Sequence, residues 1–197
     1  MMNNENTIES LKTDEELAVL SISDKESFRF LIKRFEPKLR RYARRLGIDQ
    51  IGETDDLLQD VFLKVYQNLA DFDTRLSFSS WIYRITHNQA MSIFRKRSVR
   101  PEGHIKNIED KEFMQISSEL DIFKEFSIDE SRYLVKEAIK SLDAKYTEII
   151  ILRYFEDKSY DEISDILKIS PGTVATRISR AKALLKIFIN KKEYIHE

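Results

Sequence analysis

Three short polar patterns, each followed by apolar residues at helical spacing, constrain the fold of this chain more than any other feature. Thr or Ser is followed three residues later by Glu at Thr13–Glu16, Ser23–Glu26 and Ser159–Glu162. In such a capping box, the hydroxyl and the carboxylate each accept a hydrogen bond from a backbone N–H group that lacks a partner within the helix. Each pattern therefore predicts the start of an α-helix.

The residues between these starts also favour helices. Apolar side chains recur every three or four positions, which is the period of an amphipathic helix. We find no convincing strand, and the 197 residues include only 4 Gly and 3 Pro, too few for a fold with many tight turns. Thr54, and then Ser79 or Ser80, are expected to cap two further helices. The sequence predicts an all-α fold.

An uneven distribution of charge divides the chain into two small helical domains. The net charge is −1, but residues 24–100 carry 16 basic and 10 acidic side chains, whereas residues 101–128 carry 3 and 7. The acidic stretch is weakly periodic, so we predict a flexible linker with a short helix near Ile116–Phe126. A basic block favours a polyanionic partner. The predicted order is a disordered N-terminus (1–12), an N-terminal domain (13–100), the linker (101–128), a C-terminal domain (129–190) and a tail (191–197).

Composition excludes several classes of protein. The chain has no Cys, which excludes disulfides, thiolate metal sites and cysteine nucleophiles. Its first residues lack a basic region followed by an apolar stretch, and it has no run of 18 apolar residues. We therefore expect neither a signal peptide nor a membrane span, and a cytoplasmic location is the simplest expectation.

A helix-turn-helix motif is predicted near the C-terminus. The helix that begins after Ser159 is followed by a turn at 168–170, and Ser170 and Pro171 then begin a second helix, since Pro is tolerated at the first helical position. In this motif the second helix enters the major groove, where Arg and Thr can contact base edges. A solvated charged face is the ordinary alternative. The predicted DNA-contacting residues are Thr173, Thr176, Arg177 and Arg180.

Two stretches of the N-terminal domain have both a functional and an ordinary interpretation. Asp55, Asp56 and Asp60 lie in the first turns of a helix, where carboxylates also suit the helix dipole. In the segment FSSWIYRITHN, aromatic side chains beside basic ones could stack on unpaired bases. Trp81 and Tyr83 could equally be core residues, and we favour the core for Trp81.

Taken together, four segments of the chain resemble bacterial sigma factors of the extracytoplasmic-function class. They are DKESFRFLIKRF…LRRYARRL, DDLLQDVFLKVYQNL, FSSWIYRITHNQAMSIFRKR and SYDEISDILKISPGTVATRISRAKALL, in this order. The resemblance covers about residues 13–100 and 130–190. It implies a region 2-like bundle, a region 4-like helix-turn-helix domain, and a protein that is no enzyme and needs no cofactor. Such a protein binds core RNA polymerase and directs transcription initiation at promoter DNA.

The resemblance also implies roles for individual residues. One acidic helix would dock on the clamp of the polymerase β′ subunit through Asp56, Leu58, Gln59 and Asp60. The loop 72–77 and the helix after it would bind a flipped base of the minus-10 element and nearby phosphates, with Arg97 among the phosphate contacts. The main residues of that set are Phe72, Asp73, Thr74, Asn88, Arg95 and Lys96.

The resemblance assigns the minus-35 element to the C-terminal domain. Its readers would be the four residues already named in the second helix of the motif. Ala175 stands where many members of the class carry Arg, so the preferred minus-35 sequence stays open. An anti-sigma partner is also expected, since such partners are common in the class.

Three other classes of function are less consistent with these sequence features: a polymerase-independent regulator, an enzyme and a structural adaptor. A helix-turn-helix regulator that works without polymerase explains residues 159–189 but leaves DDLLQDVF and RITHNQ unexplained. An enzyme is disfavoured because the chain has only 3 His and no phosphate-binding glycine loop. Binding of Mg²⁺ by Asp55, Asp56 and Asp60 is disfavoured because carboxylates are common at helix starts. A purely structural helical adaptor would not need the basic block.

Overall fold

The predicted all-α fold is confirmed. The computed structural model describes residues 12–50, 52–97, 110–120 and 128–196, and these residues contain helices and no strands. The α-helices are α1 (Asp14–Leu20), α2 (Lys25–Leu46), α3 (Glu53–Gln67), α4 (Phe78–Arg97), α5 (Asp110–Leu120), α6 (Ile128–Lys140), α7 (Ala144–Ile150), α8 (Tyr160–Leu167) and α9 (Pro171–His196). A 3₁₀ turn follows α3 at Leu69–Asp71, and α7 continues as a π-helical turn over Ile151–Phe155.

Two of the three predicted capping boxes are present. Before α1, the Glu16 N–H donates to Thr13 Oγ1 at 3.1 Å and the Thr13 N–H donates to Glu16 Oε2 at 2.8 Å. Before α8, Ser159 and Glu162 exchange the same two bonds at 3.2 and 2.9 Å. These bonds pair N–H groups that the helix itself leaves without a partner. The starts of α1 and α8 are therefore encoded locally.

The capping box predicted at Ser23 is wrong, because the neighbouring residue caps α2. Both oxygens of the Asp24 carboxylate accept backbone N–H bonds, from Glu26 and Ser27 at 3.0 Å each. Bonds from the Ser27 hydroxyl and from these N–H groups also lower the pKa of Asp24. The Ser23 hydroxyl instead donates to the Leu20 carbonyl. At the other end, Gly47 closes α2 with φ 104°, a left-handed conformation that suits glycine.

This difference between two serines in the same sequence pattern can be measured. Ser159→Ala is expected to lower the free energy of unfolding by about 0.5–2 kcal/mol, because a helix cap is lost. Ser23→Ala is the matched control and should change it by less than about 0.5 kcal/mol, since its hydroxyl caps no helix. Urea unfolding followed by circular dichroism gives both values. Equal losses for the two variants would contradict the assigned caps.

The starts predicted for α3 and α4 are also corrected. Gly52, which has no side chain to form a cap, occupies the N-cap of α3. Thr54 lies inside the helix, and its buried hydroxyl donates to the Ile48 carbonyl at 2.8 Å. Before α4, the Ser77 hydroxyl accepts the Ser80 N–H at 3.2 Å, so Ser77 rather than Ser79 or Ser80 supplies the capping oxygen.

The N-terminal core forms where α1, α2, α3 and α4 meet. The α2 face contributes Leu31, Phe35 and Leu39, which are fully buried against side chains of α3 and α4. An edge-on contact between Phe35 and Phe78, with ring centroids 5.5 Å apart, joins α2 to the start of α4. This packing fixes the outer faces of α3 and α4, where the candidate sites lie.

The C-terminal core is formed by α6 to α9. Its largest contribution is the apolar face of α9, which is buried against α6, α7 and α8. The residues of that face are Val174, Ile178, Ala181, Leu185 and Ile189. The predicted tail, 191–197, differs from the structure, because α9 extends as far as His196.

The acidic stretch between the domains is partly helical. The helix α5 covers Asp110–Leu120, and its Phe113 and Ile116 side chains are buried. The expected helix near Ile116–Phe126 overlaps α5 only at its start, and the remainder of that prediction, 121–126, lies outside the described residues. The predicted N-terminus 1–12 also lies outside them except for residue 12. Among the described helices, none combines the length and the apolar character needed to cross a bilayer.

Candidate nucleic-acid and protein interfaces

The helix-turn-helix motif consists of α8, a three-residue turn and the first turns of α9. Lys168 ends α8 in a left-handed conformation with φ 54°, and the Ser164 hydroxyl donates to the Ile169 carbonyl at 2.6 Å. The Ser170 hydroxyl then accepts the Thr173 N–H at 3.2 Å. These local bonds close the turn and begin α9, whose first residues, Pro171 and Gly172, are exposed.

The outer face of α9 carries the predicted minus-35 readers. Thr176 and Arg180 are exposed, whereas Thr173 and Arg177 are partly buried. The Thr176 hydroxyl donates to the Gly172 carbonyl at 2.8 Å, so its proton is bonded within the helix while the side chain remains exposed. Ala175 is also exposed. The four readers therefore lie together on one polar face, opposite the buried one.

Sequence reasoning missed two residues beside this face. Lys145 and Tyr146, at the start of α7, line the same open groove as Ser170 and the four predicted readers. The Lys145 ammonium lies 4.9 Å from the centre of the Tyr146 ring. A cation in the first turn of a helix is unfavourable for the helix dipole, and this was the available sequence signal.

The exposed acidic face of α3 is the second candidate surface. Asp56, Gln59 and Asp60 are all exposed, as their predicted role in binding polymerase requires. Leu58 contradicts its predicted role, because its side chain is 3% exposed and packs in the core. Leu63 was missed: it is 53% exposed and lies one turn beyond Gln59 and Asp60.

A neighbouring carboxylate is already paired within the protein. Asp55 Oδ1 accepts a hydrogen bond from Arg40 at 2.5 Å, and Arg40 also pairs with Glu36 at 2.8 Å. Of these three aspartates, Asp56 and Asp60 are therefore the exposed carboxylates of the α3 face that can contact a partner. Within the described residues, no cluster of three or more His, Asp or Glu side chains is arranged to hold a metal ion.

The loop between α3 and α4 places its predicted site residues in different environments. Phe72 is 9% exposed, and its ring lies 5.4 Å from Phe78 and 5.0 Å from Trp81. This packing contradicts the predicted role of Phe72 in binding a base. Trp81 is partly buried against the same core, as the core interpretation predicted.

Two polar residues of the loop remain accessible. Thr74 is exposed, while the partly buried Asp73 forms an ion pair with Arg75 at 2.7 Å. The hydrogen bonds and the charge of Arg75 lower the pKa of Asp73 to about 2. A carboxylate that is paired with Arg75 offers no hydrogen-bond donor to a phosphate, so the exposed Thr74 is the better candidate for contact with DNA.

The outer face of α4 carries three of the predicted minus-10 residues. Asn88, Arg95 and Lys96 are exposed, at a spacing of seven and eight residues along the helix. Residues seven apart lie on similar faces of a helix, so Asn88 and Arg95 are aligned. Arg97 pairs with Glu53 at the start of α3 and is less available.

The fold and these surfaces correspond to a class of transcription factor. Residues 31–100 match the family model of sigma-70 region 2, and residues 132–185 match that of sigma-70 region 4. Region 2 includes the acidic α3 face and α4, and region 4 includes the helix-turn-helix motif.

Comparison with known proteins narrows this class. The RNA polymerase sigma factor NccH of Alcaligenes xylosoxydans xylosoxydans is 30% identical over 182 residues, which are 86% of this chain and 90% of NccH. The ECF RNA polymerase sigma factor SigW of Bacillus subtilis (strain 168) is 28% identical over 169 residues, 83% of this chain and 89% of SigW. This chain belongs to the ECF sigma factors of the sigma-70 family, which are transcription regulators rather than enzymes.

A solved structure has the same fold. CnrH, determined in complex with the cytosolic domain of CnrY, superimposes with a TM-score of 0.65 at 24% identity. The match covers 90% of this chain and 97% of CnrH. The two proteins therefore share the same arrangement of helices.

Proposed function

We propose that this sigma factor brings core RNA polymerase to promoters by reading a minus-35 element with α9 and a minus-10 element with the α4 face. The single observation that carries the proposal is the outer face of α9. It presents Thr173, Thr176, Arg177 and Arg180 together, while the opposite face is buried. A polar face of this kind at the start of the second helix suits entry into the major groove.

The minus-35 contact combines base reading with phosphate binding. Arg177 and Arg180 can each pair with two acceptors of guanine, and Thr176 can contact a thymine methyl group. Lys145 lies at the edge of the same groove, where the backbone of a bound duplex would pass. We assign it to phosphate binding, which positions the protein without selecting sequence.

The minus-10 contact uses Thr74, Asn88, Arg95 and Lys96. The Asn88 amide offers a donor and an acceptor to an unpaired base, and the two cations offer charge to phosphates. Extraction of a base from the duplex costs a few kcal/mol, and capture on the protein offsets this cost. We propose that this capture assists melting, and that all chemistry belongs to the polymerase.

The polymerase contact uses the exposed α3 face. Asp56, Gln59, Asp60 and Leu63 form a strip with two carboxylates, an amide and an apolar side chain. We propose that it docks on basic residues of the β′ clamp. A further partner, an anti-sigma factor, is proposed because the sigma factor RpoE of Bartonella quintana, which matches this fold with a TM-score of 0.59, was solved in complex with the anti-sigma factor NepR. We also propose that residues 13–100 and 129–190 form the two domains.

Reconstituted transcription tests the proposal. Core polymerase with this protein should start transcripts at promoters from the same genome, and core polymerase alone should not. A regulator that works without polymerase would instead protect duplex DNA from cleavage when it is present alone. Protection by the free protein, combined with no promoter-dependent transcript, would contradict the proposal.

A further inference from the structure

The short helix α1 packs against elements on both sides of the loop that carries Thr74. It contacts the 3₁₀ turn Leu69–Asp71, which precedes the loop 72–77, and α4, which follows that loop. Residues of α1 and Thr74 also line one open groove. The match to sigma-70 region 2 begins at residue 31, so it does not include α1. The role of α1 therefore follows from its own contacts.

Glu15 of α1 accepts a hydrogen bond from the first turn of α4. The Phe78 N–H donates to Glu15 Oε1 at 2.9 Å, across 63 positions of the chain. The first N–H groups of a helix have no partner within the helix, so Glu15 supplies one from outside it. A carboxylate in this position also suits the helix dipole, and a charged acceptor forms a stronger hydrogen bond than a neutral one. The end of the loop is therefore joined to α1 at Phe78.

The helix that carries Glu15 is itself fixed in place. Arg34 of α2 donates to Asp14 Oδ1 at 2.6 Å and to the Lys12 carbonyl at 3.1 Å. Leu17 is fully buried in the N-terminal core, and the capping box described above begins α1. Glu15 is partly buried, and a hydrogen bond is stronger where the local dielectric is lower. Glu15 therefore extends from a helix that is anchored on both sides of it.

The loop is held at both of its ends. The Phe72 ring packs against Phe78, and Phe78 itself is fully buried. Residues 73–77 lie between these anchors, and they include Thr74. If the Phe78 N–H lost its acceptor, the first turn of α4 would open locally more often, and the loop would gain freedom. That freedom has to be given up again when an unpaired base binds, and this lowers the affinity.

We propose that Glu15 is a positioning residue for the minus-10 contact. By accepting the Phe78 N–H, it holds the loop 72–77 in the conformation that presents Thr74 to an unpaired base. Glu15 acts through the backbone of α4 and does not itself bind DNA. The inference rests on the proposed minus-10 function, and it leaves the binding of polymerase by the α3 face unchanged.

Three substitutions at Glu15 separate the reach of its side chain from its charge. Glu15→Gln keeps an acceptor oxygen at the same distance but has no charge. Glu15→Asp keeps the charge on a side chain that is one methylene shorter, and Glu15→Ala removes the acceptor. If the hydrogen bond holds the loop, Glu15→Ala and Glu15→Asp should both lose its effect, and Glu15→Gln should retain most of it.

Binding of single-stranded DNA by core polymerase loaded with each variant measures this effect. The probe is a labelled non-template strand with the minus-10 sequence of a promoter that the wild type transcribes. Glu15→Ala and Glu15→Asp should bind it about fivefold or more weakly, and Glu15→Gln within about twofold of the wild type. The matched control is Glu26→Ala, which removes an exposed carboxylate at the start of α2 that pairs with Arg29 at the surface, and it should bind like the wild type.

Two results of this measurement would overturn the positioning role while the wild type stays active. A loss in Glu15→Gln as large as that in Glu15→Ala would assign the effect to charge instead of the hydrogen bond. An equal loss of affinity for core polymerase in Glu15→Ala would show that the substitution disturbs the whole domain. Polymerase affinity is therefore measured for every variant and should match that of the wild type.

Trp81, the only tryptophan of the chain, reports the state of the loop without DNA. The centre of its ring lies 5.0 Å from that of Phe72 and 5.6 Å from that of Phe78. Glu15→Ala and Glu15→Asp should make its fluorescence about 1.5-fold more sensitive to quenching by acrylamide, because the packing around it opens more often. Glu15→Gln and Glu26→Ala should leave it unchanged. Equal quenching in Glu15→Ala and the wild type would contradict the positioning role.

The DNA-binding measurement also separates this role from the proposed function. A wild type that binds the minus-10 strand no better than a scrambled strand would contradict the minus-10 contact and the positioning role together. A wild type that prefers the minus-10 strand, with Glu15→Ala binding it equally tightly, would contradict the positioning role alone.

Discussion

The double variant Asp56→Arg/Asp60→Arg is expected to bind core polymerase at least about 100-fold more weakly than the wild type. Both carboxylates are exposed on α3, and neither forms an ion pair within the described residues. Reversal of two charges replaces attraction to a basic clamp surface with repulsion, and like-charge contacts across an interface cost several kcal/mol. Titration of labelled protein with core polymerase measures the loss, which should be smaller at high salt.

A control in the same domain distinguishes this loss from unfolding or from a general effect of charge. Asp71→Arg changes an exposed carboxylate in the 3₁₀ turn after α3, away from the proposed contact strip. It should bind polymerase within about threefold of the wild type. Circular dichroism should show folded protein in all cases, since arginine near a helix start costs only about 0.3–1 kcal/mol. Equal weakening by the control would show that the α3 face is not the contact.

The local starts of helices could be predicted where the capping group lies within three residues of its target. Ser159 succeeded because its hydroxyl and the Glu162 carboxylate both reach the backbone of the same turn. Ser23 failed because Asp24 competes for the same N–H groups, and a carboxylate with two acceptor oxygens binds two of them. A pattern that contains two candidate caps does not decide between them.

Two of the site residues implied by the family resemblance, Leu58 and Phe72, are buried in the core. Leu58 lies beside Leu57 and Val61 in the apolar repeat of α3 and is buried in the structure, whereas the resemblance implied that the same side chain contacts polymerase. One side chain cannot serve both purposes without leaving the core. The same competition applies to Phe72, whose ring completes an aromatic cluster with Phe78 and Trp81.

The contact between the domains was beyond sequence reasoning. Arg45 and Glu156 are 111 residues apart, and each is an ordinary charged residue in its own segment. Their pairing depends on how two folded domains meet, which no local pattern encodes. Burial raises the pKa of Glu156, against the lowering effect of its bonds with Tyr83 and Arg45, and this is a property of the assembled interface.

Arg177→Ala is expected to weaken use of the preferred minus-35 element by about 1–3 kcal/mol, the usual value of a good base contact. Because Arg pairs with one base pair through two hydrogen bonds, the variant should lose its preference at that position and keep it elsewhere. Transcription from a set of minus-35 variants, with wild-type and variant protein, measures this loss of discrimination. Lys186→Ala, on an exposed part of α9 more than two turns further on, is the matched control and should change nothing.

Lys145→Ala is the comparison variant for Arg177→Ala, because it is expected to remove a phosphate contact instead of a base contact. A phosphate contact carries no sequence information, so its loss should weaken all minus-35 variants equally and reduce the salt slope of binding by about 1. If Arg177→Ala behaved in the same way, Arg177 would be a phosphate contact, and specificity would lie with Thr173, Thr176 or Arg180. Since Ala175 offers no hydrogen bond from its side chain, Arg177 and Arg180 are the two arginines on this face that can select guanine. The position at which Arg177→Ala loses discrimination would therefore fix the register of α9 on the minus-35 element.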